Sequence, residues 1–212
     1  MKATTTTAQL LSEYPIISDQ ISKSALHTVL TQLELIIQKR IPGDIVEFGC
    51  YIGTTTVFLR RLLDEANESS KRLLYAYDSF NGLPDKTRPD MSGAGEQFQA
   101  GELCVTKRQF LHSFHKANLK PPITVKGWFA TIRPDQLPTR VAYAFLDGDF
   151  YESIIESLRL VWPRLADGGV IAIDDYKRQA LPGVDRAVRD FFQNKAVIIQ
   201  QENNIGIIKP VH

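Results

Sequence analysis

The sequence predicts an α/β fold: a doubly wound, mostly parallel seven-stranded sheet that ends in a C-terminal antiparallel hairpin. Three observations predict it. Short apolar runs of strand type alternate with longer stretches of helical periodicity, the pattern of a parallel sheet wound on both faces. Two of the runs end in carboxylates: Ala142-Tyr143-Ala144-Phe145-Leu146 leads into Asp147-Gly148-Asp149, and Gly169-Val170-Ile171-Ala172-Ile173 into Asp174-Asp175. In open α/β sheets, ligands bind in the crevice past the carboxyl ends of the strands. The last two β-type runs, residues 196–201 and 205–209, are joined by a tight turn at Glu202-Asn203-Asn204, which makes them an antiparallel pair.

Each element follows in order. Residues 1–18 read as polar and irregular, interrupted by Pro15. A helix is predicted over about 18–40, where Ile21, Ala25, Val29, Leu33 and Ile36 recur at helical spacing and Leu26, Leu30 and Ile37 widen the stripe. So broad an apolar face suits the sheet, a neighbouring subunit or both, which leaves a homo-oligomer open. Pro42-Gly43 closes the segment. Ile45-Val46-Glu47-Phe48 is the first strand, followed by a helix from Thr54 to about Glu65 and a second strand ending at Asp78. Residues 84–102 show no periodicity and contain Pro89, Gly93, Gly95 and Gly101. A structureless loop this long is uncommon in a compact domain and is usually functional or disordered; it is expected to be a lid. A helix over about 105–117, a strand at 123–126, the central strand, a helix from 150 to about 165, the acid-ended strand and a helix over 184–192 complete the series. The organisation expected is an N-terminal helical segment, 1–41, and one ligand-binding domain, 42–212, carrying the lid.

Bulk properties exclude several classes. A net charge of +1 gives no electrostatic footprint for nucleic acid or an acidic membrane surface. No stretch approaches the ~18 consecutive apolar residues of a membrane helix, and the first residues lack the apolar core of a signal peptide. Two cysteines, Cys50 and Cys104, make no disulfide framework. A cytoplasmic protein with a small-molecule partner is the expectation, with no nucleic acid and no membrane.

The motifs narrow the chemistry. Glu47-Phe48-Gly49-Cys50-Tyr51-Ile52-Gly53 joins the first strand to its helix. Its two glycines allow a sharp turn and close approach of a ligand, and the helix start at Thr54 offers free N–H groups that suit a carboxylate. The dinucleotide fingerprint G-x-G-x-x-G is absent, which disfavours a nicotinamide cofactor. Asp78, at the end of the second strand, is placed to accept ribose hydroxyls. Trp128 and Phe129 follow the third strand, where a planar adenine can stack. Asp147, Asp174 and Asp175 are hard oxygen donors at two neighbouring strand ends, the set that Mg²⁺ takes. Asp149-Phe150-Tyr151-Glu152 matches a capping box, so Asp149 is expected to cap the next helix, worth ~1 kcal/mol, with a catalytic role as the other reading.

Taken together, Glu47…Gly49…Gly53, Tyr77-Asp78-Ser79-Phe80-Asn81-Gly82-Leu83-Pro84, Phe145-Leu146-Asp147-Gly148-Asp149-Phe150-Tyr151-Glu152-Ser153, Ile173-Asp174-Asp175-Tyr176 and Pro182-Gly183-Val184 resemble the macrocin O-methyltransferase family. That family lies within the class I S-adenosylmethionine-dependent methyltransferases. The resemblance implies O-methyl transfer to a small molecule with adjacent oxygens: a natural-product sugar, a polyol or a catechol-like ring. It implies S-adenosylmethionine and Mg²⁺ as cofactors. Asp147, Asp174 and Asp175 become metal ligands and Asp149 the general base. Glu47, Gly49, Tyr51, Gly53 and Thr54 border the methionine end. Asp78 holds the ribose, Trp128 borders the adenine, and Ser79 and Asp147 complete the cofactor-binding set. A metal-dependent hydrolase, a nicotinamide-dependent oxidoreductase and a non-catalytic binding protein stand as the alternatives on a similar sheet.

Overall fold

The structure, a computed structural model, describes residues 7–94 and 97–211. It opens with a short helix, α1 (Thr7–Glu13), where irregular chain was expected. So few residues do not hold a helix alone. Burial of Leu10 and Leu11, and hydrogen bonds from Thr7 N and Oγ1 to Glu34 Oε2, hold α1 against α2 (Lys23–Gln38). The second helix starts later than its periodicity implies because Ser22 takes the N-cap, its side chain accepting from Ala25 N. Residues 18–22 are thereby released from the helix.

There follow β1 (Asp44–Phe48), α3 (Thr54–Glu65), β2 (Leu74–Asp78), α4 (Lys107–Lys116), β3 (Ile123–Lys126), β4 (Val141–Leu146), α5 (Tyr151–Val161), β5 (Leu165–Ile173), α6 (Pro182–Phe192), β6 (Val197–Glu202) and β7 (Ile205–Pro210). The seven strands form one sheet in the order β3-β2-β1-β4-β5-β7-β6. The first five are parallel, while β7 runs antiparallel to both β5 and β6. Strand order reverses between β1 and β4, which is the switch point where such sheets open a ligand crevice.

Alternation along the strands sorts the core onto the two faces. Ile45, Tyr143, Phe145, Val170 and Ala172 pack beneath α1, α2 and α3, whereas Val46, Phe48, Ala144, Leu146, Ile171 and Ile173 pack against α5 and α6. The wide apolar stripe of α2 is used within the chain: Leu26, Val29, Leu30 and Leu33 are fully buried against the sheet. Each such side chain contributes ~1.5–3 kcal/mol. Tyr143 Oη adds a hydrogen bond to the Val29 carbonyl at 2.9 Å.

Two further boundaries differ from expectation. Pro163 ends α5 early in a 3₁₀ turn, Trp162–Arg164. Strand β5 then begins at Leu165, ahead of Gly168-Gly169, through an irregular register against β4. The expected lid is partly fastened. Leu83 N bonds to Glu102 O and Gly101 N to Leu83 O at its base, Arg88–Asp90 forms a 3₁₀ turn, and Ser92 Oγ donates to Gln179 O. Its Gly95 and Glu96 lie outside the described residues. Among the described residues no helix is long and apolar enough to cross a membrane.

Candidate active site

A cavity of about 880 Å³ opens at the carboxyl ends of the parallel strands. Of the residues singled out in the sequence, Gly49, Tyr51, Asp78, Ser79, Trp128, Asp147, Asp149, Asp174 and Asp175 line it. Glu47, Gly53 and Thr54 do not. Gly53 takes φ +91° as the N-cap of α3, and a Cβ there would meet the Phe110 ring rather than a ligand. Thr54 is buried in the first turn of α3, which has no side-chain cap.

The turn after β1 is built around two constraints. Gly49 has φ +86°, and a Cβ would stand 1.8 Å from the Asp147 carbonyl oxygen, so only glycine lets the ends of β1 and β4 meet. Asp78, at the end of β2, fixes the turn from the other side. Its Oδ2 accepts from Cys50 N (2.8 Å) and Tyr51 N (3.1 Å), and its Oδ1 from Phe80 N (2.7 Å). A carboxylate offers about four acceptor positions, so this side chain builds the pocket wall and keeps acceptor capacity for a hydroxyl. Ser79 likewise works locally: its Oγ donates to Gly82 O and accepts from Asn81 N. Trp128 and Phe129 line the wall beyond β3, and Trp128 is 40% exposed, leaving its ring open for stacking.

Glu47 lies beneath that wall, 1% exposed, and its Oε2 has no hydrogen-bond partner among the described residues. Burial pushes its carboxyl up to about 8; the Thr56 hydroxyl pulls it down and the Asp78 charge pushes it further up. A folded value above the unfolded one adds stability below about pH 4.5 and loses it as pH rises through about 8. Glu47→Gln is therefore expected to stabilise the ligand-free chain by about 1–3 kcal/mol at pH 8 and by little at pH 5, read from urea melts at the two values. Equal melts at pH 8 would show that Glu47 already has a partner in solution.

The acids sit at the ends of β4 and β5, which pair side by side. Burial, then the charges of Asp174, Asp149, Asp175 and Glu47, pushes Asp147 well above the carboxylate range. Burial, then Asp175 and Asp174, does the same to Asp149, with Arg178 opposing. Asp174 rises to about 7 through burial and its neighbour Asp175, opposed by the Asp175 N–H and by Arg178. Like charges gathered in a dry crevice raise one another in this way. Two of these acids are turned to other partners. Asp174 Oδ1 accepts from Asp175 N at 2.9 Å, and Asp175 Oδ1 takes Arg178 Nη1 at 2.6 Å. Among the described residues no group of three or more His, Cys, Asp or Glu side chains is arranged to hold a metal ion.

The capping box is overturned. The N-cap of α5 is Phe150, which has no side-chain cap bond, while Asp149 takes φ +58°. That left-handed backbone is incompatible with the extended conformation an N-cap requires. It directs Asp149 to the cavity instead.

The sequence reading also missed part of the wall. Asp19, Gln20 and Ser22 from the stretch before α2, Arg178 after β5, and Asn203 and Asn204 from the closing hairpin all line the cavity. Asn203-Asn204 carried a turn signal, and both residues take positive φ there, but nothing local ties that turn to the site. It is fastened by Tyr176 N to Asn204 O and by Asn203 Nδ2 to Thr28 Oγ1.

The chain is similar in fold and in sequence to known proteins. The fold is similar to a structure of the O-methyltransferase NovP, with TM-score 0.73, 24% identity, and coverage of 88% of this chain and 79% of that one. It is also similar to the calicheamicin methyltransferase CalS11, with TM-score 0.69, 19% identity, and coverage of 96% and 89%. In sequence the chain is 32% identical over 165 residues to 8-demethyl-8-(2,3-dimethoxy-alpha-L-rhamnosyl)-tetracenomycin-C 4'-O-methyltransferase of Streptomyces olivaceus, covering 75% of this chain. It is 28% identical over 187 residues to mycinamicin III 3''-O-methyltransferase of Micromonospora griseorubida, covering 84% of this chain and 72% of that one. The chain spans 61% of the length of the first of these relatives and 59% of demethyldecarbamoylnovobiocin O-methyltransferase of Streptomyces niveus. A family model, Macrocin-O-methyltransferase (TylF), matches residues 13–207, a span that contains every acid of the cavity wall. The chain belongs to the macrocin O-methyltransferase family.

Proposed function

We propose that this protein transfers a methyl group from S-adenosylmethionine to a hydroxyl of a small molecule bearing adjacent oxygens, such as the sugar of a natural product. The observation that carries the reading is that one cavity is lined both by the turn after β1 with Asp78 and Trp128, and by the acids after β4 and β5. Donor and acceptor can thus lie side by side, and holding two reactants together can supply ~7–11 kcal/mol. Two relatives are named for methylating oxygens of a rhamnosyl-tetracenomycin and of mycinamicin III, which supports a glycosylated acceptor.

In this reading the roles divide as follows. The Asp78-braced turn binds the nucleoside and Trp128 flanks its base. Asp149 takes the proton from the acceptor hydroxyl as the oxygen attacks the methyl group. Asp19, Gln20, Asn203 and Asn204 offer hydrogen bonds that orient the acceptor. Asp147, Asp174 and Asp175, not gathered as ligands in this structure, would hold Mg²⁺ once Asp174 and Asp175 turn from their present partners: the donors are all hard oxygens, and a divalent cation relieves the repulsion that burial imposes on them. When bound, that ion supplies Lewis-acid stabilisation of a deprotonated hydroxyl.

Calorimetric titration with S-adenosylmethionine, followed by detection of S-adenosylhomocysteine in mixtures with methyl α-L-rhamnoside or catechol, tests the reading. Binding and acceptor-dependent product are expected. Turnover of a substrate without S-adenosylmethionine, or NADH binding in its place, would overturn it.

A further inference from the structure

The first N–H groups of a helix need acceptors, and α5 obtains one from outside its own segment. Asp90, in the long loop after β2, places Oδ1 2.6 Å from Tyr151 N, the first residue of α5. Its Oδ2 accepts from both Thr87 N and Thr87 Oγ1 at 2.8 Å. The side chain is 4% exposed. Helix α6 makes room for it: a Cβ on Gly183 would stand 1.8 Å from Asp90 Oδ1 and 2.9 Å from Tyr151 N. Arg186, also on α6, donates to the Pro89 carbonyl. One buried carboxylate therefore joins the loop to α5 at a contact with α6.

The donor it occupies is one that Asp149 would otherwise take. With Asp149 as N-cap, Tyr151 is the second helical residue, whose N–H a capping side chain accepts. Instead Phe150 N bonds back to Gly148 O at 2.6 Å, a three-residue turn with Asp149 at its centre and φ +58°. Non-glycine residues hold such a conformation only when their surroundings enforce it.

We propose that Asp90 is a positioning residue: by capping α5 from the loop, it denies Asp149 the capping role and keeps its carboxylate in the cavity. The proposal rests on the reading of Asp149 as the proton acceptor. Loss of Asp90 lets Asp149 return to an extended backbone and fold onto the Tyr151 N–H.

The test is a double-mutant cycle of Asp90→Ala and Asp149→Asn, with Asp90→Asn and Gly183→Ala as companions. Product release with whichever of catechol or methyl α-L-rhamnoside the wild type methylates, and calorimetric S-adenosylmethionine affinity, are the readouts. Asp90→Ala is expected to lower kcat at least about tenfold with cofactor Kd within about twofold. Asp90→Asn, which keeps an oxygen on Tyr151 N, retains kcat within about threefold. In the Asp149→Asn background, Asp90→Ala changes the residual rate less than about twofold. Gly183→Ala leaves Asp90 chemically intact and displaces it, and reproduces the loss if Asp90→Ala does not fold. A crystal structure of either displaced variant, with Asp149 on the Tyr151 N–H, gives the same answer without an acceptor. Full kcat in Asp90→Ala, an equal loss in both backgrounds, or Asp149 unmoved in that crystal overturns the proposal and leaves the base assignment standing. Full kcat in Asp149→Asn overturns both.

Discussion

Replacing Asp149 with asparagine is expected to lower the rate of methyl transfer by about 10²–10⁴-fold while leaving S-adenosylmethionine affinity within about twofold, because an amide cannot take the hydroxyl proton. The geometry makes this experiment clean in a way that the sequence does not suggest. Had Asp149 capped α5, its loss would cost ~1 kcal/mol of stability and blur the kinetics. The cap is Asp90, so no capping bond is lost. Asparagine also tolerates the left-handed backbone at this position, where alanine would add strain. Removing one of several mutually raised acids relieves repulsion, so the variant is expected to melt at or above the wild-type temperature at pH 8. A rate loss that tracks a fall in melting temperature would assign Asp149 a structural role; an unchanged rate would remove it from the chemistry.

The strand ends and their acids were legible because each is encoded within a few consecutive residues. An apolar run closing in Asp147 or Asp174 states both the strand and the place where it stops, and the glycine turn after Phe48 states the first crossover. What was not legible depends on residues that meet only in the folded chain. The Asp149–Glu152 spacing is a valid capping box locally, yet Asp90, a remote residue, takes the donor first. Nothing in Asp19-Gln20-Ile21-Ser22 marks a cavity wall; these residues reach the site because Ser22 stops α2 there and leaves the preceding chain free to turn. The short α1 is invisible to periodicity, since two leucines make no pattern until α2 offers a surface to bury them. That Gly49 permits a sharp turn is local information, whereas the Asp147 carbonyl that requires the glycine meets it only in the fold.

The largest effect besides that of Asp149 is expected from the cation. Chelation with EDTA, or Asp147→Asn, should reduce product formation at least about hundredfold, since Lewis-acid stabilisation is worth several kcal/mol. Cofactor affinity should move by less than about threefold, because the turn braced by Asp78 is untouched. The arrangement of the acids adds a second, independent arm. Asp175 is engaged by Arg178, so a cation must compete with a guanidinium for one of its donors. The Arg178 side chain is 42% exposed, and such a pair is worth at most ~1 kcal/mol. Arg178→Gln should accordingly tighten Mg²⁺ binding by up to about fivefold in calorimetric titration, whatever its effect on turnover. Full activity in chelator would remove the metal from the reaction. Weaker Mg²⁺ binding in Arg178→Gln would show that the guanidinium orients the carboxylates rather than competing for them.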